Sequence, residues 1–235
     1  MSVNPLRKIF WKVGLDIHKY RPIFDQLHFL KEADIKTVLD IGANTGQFVR
    51  EIREVLPEAQ VYSFEPLKDC FDKLNDSNKN DQNFKAFNFA LGDSNETVQM
   101  HRSSYSPSSS IRKMAQSHKD LYPHTSGESQ EMILIKRLDD LKEIDPHSLE
   151  KNILVKMDTQ GYEDKVIKGG LKFLKSAKFV IVETAFISLY EGQPLFANIY
   201  ALLTSQGFSY KGGLAWKFDA KNGGVLSEDS LFIKH

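Results

Sequence analysis

The sequence predicts an α/β protein, a mostly parallel β-sheet with helices on both faces. Two observations carry the prediction. Short apolar runs alternate with segments of helical periodicity along most of the chain. Strands separated in this way pair in parallel, because a crossover helix returns the chain to the same end of the sheet. The second observation is compositional. The chain has 235 residues, 41% hydrophobic and 26% charged, enough to bury one full core without disulfide or metal staples.

The elements follow in order. Residues 37–43 (TVLDIGA) form a buried strand, and 47–56 place Phe48, Ile52, Val55 and Leu56 at helical spacing before Pro57 stops the helix. Residues 60–65 are a second strand closed by Pro66. Residues 69–80 form a polar helix with Cys70, Phe71 and Leu74 on one side, and 84–91 are a third strand ending at a Gly92-Asp93 turn. The rhythm breaks at 94–131, a stretch rich in Ser, His, Asn and Pro that is too long for a plain connector. It is either a functional loop or a partly disordered insertion, flanked by strands at 97–101 and 132–138. Alternation resumes with a strand at 153–158, a helix at 163–174 and a strand at 179–183. A helical stripe of Leu195, Phe196, Ile199, Leu202 and Leu203 follows, with Gly207 as its cap. Strands at 208–218 and 230–234 close the chain, joined through Asn222-Gly223-Gly224, which favours an antiparallel hairpin.

Residues 1–36 read as an N-terminal helical arm or cap and 37–235 as the main domain. The arm is basic at Arg7, Lys8, Lys12, Lys19 and Arg21 and lacks the apolar stretch of a signal peptide. It is expected to pack across the sheet end or a partner subunit of a homodimer. Contact with a membrane surface through Phe10, Trp11 and Leu15 is the alternative. Lys+Arg and Asp+Glu both number 31, which excludes a strongly basic nucleic-acid binder. Cys70 is the only cysteine, so no intrachain disulfide and no multi-cysteine metal site can form. A reducing, cytoplasmic setting is expected. No apolar run reaches the roughly 18–20 residues of a membrane span.

Parallel sheets bind ligands at the carboxyl ends of their strands. The first strand ends in D-I-G-A-N-T-G, residues 40–46. No G-x-G, no P-loop and no Tyr-x-x-x-Lys occurs, which argues against dinucleotides, nucleoside triphosphates and short-chain dehydrogenases. Asp40, just before the glycines, would repel phosphate and attract a cation. S-adenosylmethionine lacks phosphate, carries a sulfonium and an ammonium, and offers a ribose diol to Glu65 at the end of the second strand. The pair Asp40 and Glu65 fits that cofactor better than any nucleotide phosphate. The alternative is that Asp40 caps the next helix and Glu65 sits in a loop.

VLDIGANTGQF, YSFEP, FALGD, RLDDL, VKMDTQGYE, VIVE and LYEGQPLF, in this order, resemble the FkbM-type methyltransferases. The resemblance covers 37 to the C-terminus, with the insertion matching less well. It implies a class I methyltransferase (Rossmann-like) fold, a seven-stranded sheet with its last strand antiparallel. It also implies S-adenosylmethionine as cofactor and O-methylation of sugars, polyketides or related metabolites. Position by position, it implies that Asp40, Gly42, Ala43, Asn44 and Gly46 form the cofactor loop. Glu65 and Pro66 then meet the ribose, Ala90 and Leu91 line the adenine, and Asp158, Gly161 and Glu163 match D-x-E-G-x-E. Gln160 stands where an acid is usual.

An acceptor hydroxyl needs a base. Asp158 and Glu183 end adjacent strands and Glu163 opens the following helix, so one of these three is expected to act, Glu163 having an alternative reading as a first-turn helix acid. Magnesium held between two carboxylates is the alternative, and no metal is expected. His101, His118 and His124 lie in or near the insertion, where one could serve as base from a lid. Tyr105, Ser108, Ser109, Ser110 and Tyr190 are candidates for the acceptor pocket. The function expected is O-methylation of a small molecule or glycan. The alternatives are a catalytically silent binding module, with Gln160 as its mark, and a nicotinamide oxidoreductase.

Overall fold

A computed structural model describes residues 24–144, 149–150 and 152–234. Of the expected arm, 1–23 lie outside the described residues, and with them the membrane-contact reading of Phe10, Trp11 and Leu15. The rest forms two short helices, α1 (Phe24–Leu27) and α2 (Phe29–Glu32). The main sheet runs in the order β3-β2-β1-β7-β8-β10-β9. Its strands are β1 (Thr37–Ile41), β2 (Gln60–Phe64), β3 (Phe84–Phe87), β7 (Ile153–Met157), β8 (Ala177–Ala185), β9 (Phe208–Phe218) and β10 (Val225–Lys234). β10 is antiparallel to both neighbours, and the pairings from β3 through β8 are parallel. Seven strands with the last antiparallel is the arrangement the resemblance implies.

The central strands read as they do because both faces are covered. All five residues of β1 are buried. On one face Leu39, Ile41, Phe64, Val155 and Val180 pack under α6 (Glu163–Gly169) and α7 (Phe196–Ser205). On the other, Val38, Val61, Leu154 and Ile181 meet α3 (Gln47–Val55) and Leu27. α3 buries Val49, Ile52 and Val55, each contributing about 1.5–3 kcal/mol. α4 (Lys68–Asn78) follows β2 and buries Cys70 and Leu74.

Three expectations are corrected. The single strand expected over 84–91 is two, β3 and β4 (Ala90–Leu91), in different sheets. Between them Asn88 donates its amide to the carbonyls of Glu65 (3.0 Å) and Pro66 (2.9 Å), so side-chain bonds replace the ladder and turn the chain. The helix expected over 163–174 ends at Gly169, and a separate single turn follows at Phe173–Lys175. The stretch 94–131, expected as a functional loop or a partly disordered insertion, carries regular structure. It holds β5 (Glu96–Ser103), α5 (Gln116–Leu121) and the start of β6 (Glu128–Lys136). β6 pairs antiparallel with β5 and parallel with β4, making a second, three-stranded sheet. Leu67, Cys70, Met100, Ile133 and Ile135 form its own small core.

Candidate active site

The first turn is built by backbone geometry. After β1 the chain passes through the left-handed region at Gly42 (φ 81°), Asn44 (φ 47°) and Gly46 (φ 85°). A Cβ at Gly42 would lie 2.0 Å from the carbonyl oxygen of Asp158, so only glycine lets the ends of β1 and β7 close. The N–H groups of Gly42 and Ala43 both donate to the Phe64 carbonyl (3.0 Å each), which ties the turn to β2. Glu65, 4% exposed, completes the arrangement. Its Oε2 accepts from the Asn44 N–H and its Oε1 from the Leu67 N–H, both at 2.8 Å. Burial pushes its pKa up to about 7 against the pull of those two donors.

Around this turn lies a cavity of 560 Å³. Gly42, Ala43 and Asn44 form one wall and Glu65 and Pro66 its middle. Ala90 and Leu91 close an apolar end with Met100 and Ile111, and Asp158 stands at the opposite, charged end. Gly46 is not on the wall. It caps α3, and a Cβ there would meet Leu74 at 2.9 Å.

Asp40 is also not on the wall, contrary to expectation. The alternation of β1 turns it to the α3 face, where it is fully buried with both oxygens lacking a hydrogen bond. The nearest cation is Lys156, which pairs with Asp40 in strand register and whose Nζ lies 3.5 Å from Oδ1. Burial raises the Asp40 pKa.

The three acids proposed as bases separate. Asp158 faces the cavity. Burial pushes its pKa up, but Lys156 (3.7 Å from Oδ2) and Lys217 outweigh it, and the result is a lowered value. Glu183 lies behind it. One oxygen accepts from Lys217 (2.6 Å) and the other from Gln160 Nε2 (2.8 Å), whose amide also donates to Asp158 Oδ1 (2.5 Å). Burial and the neighbouring Asp158 raise Glu183 to about 8. Glu163 is turned away from the cavity. Its Oε1 accepts from Thr159 N–H (2.8 Å), Thr159 hydroxyl (3.0 Å) and Gly161 N–H (3.2 Å). It clamps the turn that presents Asp158, and burial raises it to about 7.

Among the residues expected to meet the acceptor, Tyr105 and Ser109 line the cavity, and Ser110 and Tyr190 do not. The Ser110 hydroxyl donates to the Gln160 carbonyl (2.7 Å). The Tyr190 hydroxyl lies 3.0 Å from the Ser108 carbonyl and 2.9 Å from Gln160 Oε1. Both brace loops from behind. The histidines do not reach the cavity either. His101 Nδ1 pairs with Glu128 (2.5 Å), and His118 is buried against Thr125 with its pKa lowered to about 4 by burial. Lys156, Lys217, Phe48 and Ser106 line the cavity and escaped the sequence reading. Lys156 had a signal, being a lone charge inside the buried run ILVKM. Burial lowers its pKa, but Asp158 and Asp40 outweigh that and it stays charged. Among the described residues, no three His, Cys, Asp or Glu side chains are grouped to hold a metal, and no helix is long and apolar enough to cross a membrane.

The chain is similar to known methyltransferases. The chain is 30% identical over 187 residues to the 2-O-methyltransferase NoeI of Sinorhizobium fredii, covering 77% of this chain and 76% of that one. It is 26% identical over 194 residues to the methyltransferase sdnD of Sordaria araneosa, covering 73% of each. A solved S-adenosylmethionine-dependent methyltransferase from Aquifex aeolicus aligns over 99% of this chain and 100% of its own, with a TM-score of 0.44 and 13% identity. The methyltransferase FkbM domain matches residues 40–210, a span that takes in the glycine turn, Glu65, the insertion and the Asp158–Glu183 pair, and the chain belongs to that family.

Proposed function

We propose that this methyltransferase takes S-adenosylmethionine in the cavity beside the Gly42–Asn44 turn and methylates a hydroxyl of a sugar, glycan or secondary metabolite. The observation that carries the reading is Glu65. Its carboxylate is fixed by two backbone N–H groups midway between an apolar end and a charged end of one cavity. Each carboxylate oxygen keeps a lone pair free for one hydroxyl of a ribose. Ala90, Leu91, Met100 and Ile111 suit a flat base, and the Gly42–Asn44 turn with Asp158 suits the amino-acid and sulfonium portion. The bound cofactor supplies a methyl group already activated on sulfur.

The chain's own residues then position and deprotonate. Asp158 is kept ionised by Lys156 and Lys217 and is aimed by the Gln160 amide, so it accepts the acceptor's hydroxyl proton. Glu183 holds Gln160 and Lys217 in place from behind. Glu163 fixes the turn and takes no proton from the acceptor. That a relative is named a 2-O-methyltransferase supports oxygen as the methylated atom.

Calorimetry of the full chain with S-adenosylhomocysteine and, separately, NAD tests the cofactor. Binding of the first alone is expected, and binding of NAD alone overturns the reading. Asp158→Asn is expected to lower kcat by about a hundredfold or more at saturating cofactor. An unchanged kcat would remove Asp158 as the base.

A further inference from the structure

A second cavity, of 190 Å³, adjoins the first. Gln47, Phe48, Lys156 and Asp158 line both. Beyond this shared wall, Ile181 of β8, Leu214 and Ala215 of β9 and Asp229 of β10 line the chamber from the sheet, and Glu51 of α3 lines it from the helix side. The carboxylates of Asp229 and Glu51 make no hydrogen bond or ion pair among the described residues.

The position is informative on the reading given above. If the apolar end takes the base and Glu65 the ribose, the methyl group lies toward Asp158 and Lys156. A nucleophile has to approach from beyond that end, and the second chamber shares Lys156 and Asp158 with it. Its volume is many times the roughly 10–15 Å³ that admits a single water, room for one small ring. Its lining is specific in charge. Glu51, Asp158 and Asp229 outnumber Lys156, whose ammonium Asp40 and Asp158 already neutralise. Carboxylates without partners accept hydrogen bonds from hydroxyls and repel phosphate and carboxylate. Burial raises the pKa of both Glu51 and Asp229, outweighing the opposite pull of Lys156 on each. Phe48, Ile181 and Leu214 add an apolar surface for the C–H face of a ring.

We propose that this second chamber is the acceptor subsite, and that it takes one uncharged polyhydroxylated ring through the unpaired carboxylates of Asp229 and Glu51, to the exclusion of phosphorylated and carboxylated rings. The proposal rests on the cofactor reading, and its test keeps the two apart. The full chain is first saturated with S-adenosylhomocysteine in a calorimeter. A failure at that step overturns the cofactor reading, before any sugar is added. The loaded protein is then titrated with the methyl glycosides of glucose, galactose, mannose, fucose and rhamnose, and with glucuronate and glucose 1-phosphate. At least one neutral glycoside is expected to bind, and neither anion. Asp229→Asn is expected to weaken that binding by about tenfold or more. Ala215→Trp, which fills the chamber, is expected to abolish it. In both variants S-adenosylhomocysteine affinity stays within about twofold of the wild type. Binding of the anions, no binding of any neutral glycoside, or equal glycoside binding by both variants overturns the assignment.

Discussion

Glu65 carries a titration that should be readable in ligand binding. Its folded-state pKa of about 7 exceeds the ordinary 4.5 because burial removes water from the carboxylate. The folded chain therefore holds a proton that the unfolded chain releases. This group's contribution to stability is complete below pH 4.5 and is lost as the pH rises through about 7. Binding responds in the opposite sense, because a ribose diol needs an acceptor on both oxygens. Affinity for S-adenosylhomocysteine, measured by calorimetry from about pH 6 to about pH 8, is expected to rise with pH. Glu65→Gln should flatten that rise and weaken binding by about tenfold to a hundredfold. A second expectation concerns metals. The Asp158 and Glu183 carboxylates are already met by two ammonium groups and an amide, from Lys156, Lys217 and Gln160. Methyl transfer should persist unchanged in excess chelator, and a loss restored by magnesium would show that a cation displaces one of these groups.

The segment between β4 and β6 turns a cleft into a cavity. The Asn44 amide donates to Ser106 (3.2 Å), and Ser110 and Arg112 reach the turn after β7. Arg112 donates to the Gly161 carbonyl (2.6 Å) and pairs with Asp164 (2.9 Å), with 18% and 13% of the two side chains exposed. Arg112→Ala removes one partner of a nearly buried pair and an anchor of the Asp158 turn. It is expected to cost about 2 kcal/mol in thermal unfolding and to weaken S-adenosylhomocysteine binding as the wall loosens. The sequence showed only parts of this segment. In β6 the apolar run 132–135 marks a strand, but its alternation of buried Ile133 and Ile135 with exposed Met132 and Leu134 is not legible, because all four are apolar. β5 buries only Met100 and Ser103, so its polar composition hid its full length. The break after β3 was illegible for a different reason, because it depends on Asn88 reaching the carbonyls of Glu65 and Pro66, just past β2 and distant in sequence. The acids divide in the same way. That Asp158 and Glu183 end adjacent strands follows from the strand pattern alone. That Asp40 points to α3 and Glu163 curls back on its own turn depends on which face each side chain takes, and spacing does not fix that.

The site exists because β1 and β7 converge at their carboxyl ends, and one glycine controls that convergence. At Gly42 a side chain faces two penalties. The backbone is left-handed at φ 81°, and a Cβ would sit 2.0 Å from the Asp158 carbonyl, an unyielding backbone atom. Gly207 offers a comparison with only the first penalty. Its φ is 85°, but the nearest atom to a Cβ is the end of Lys234, at 3.8 Å. It precedes β9, which runs parallel to β8, so it lies at the opposite end of the strands from the cavity. Gly207→Ala should therefore lower stability by about 1–2 kcal/mol, the cost of a left-handed non-glycine residue, and leave S-adenosylhomocysteine affinity unchanged. Gly42→Ala should cost about 3 kcal/mol or more, because the clash adds to the same strain, and it should abolish binding even where the chain stays folded. Urea unfolding and calorimetry on the two variants separate these outcomes. Equal losses of binding would show that the cavity responds to stability in general, whereas loss confined to Gly42→Ala would place its integrity at the contact between β1 and β7.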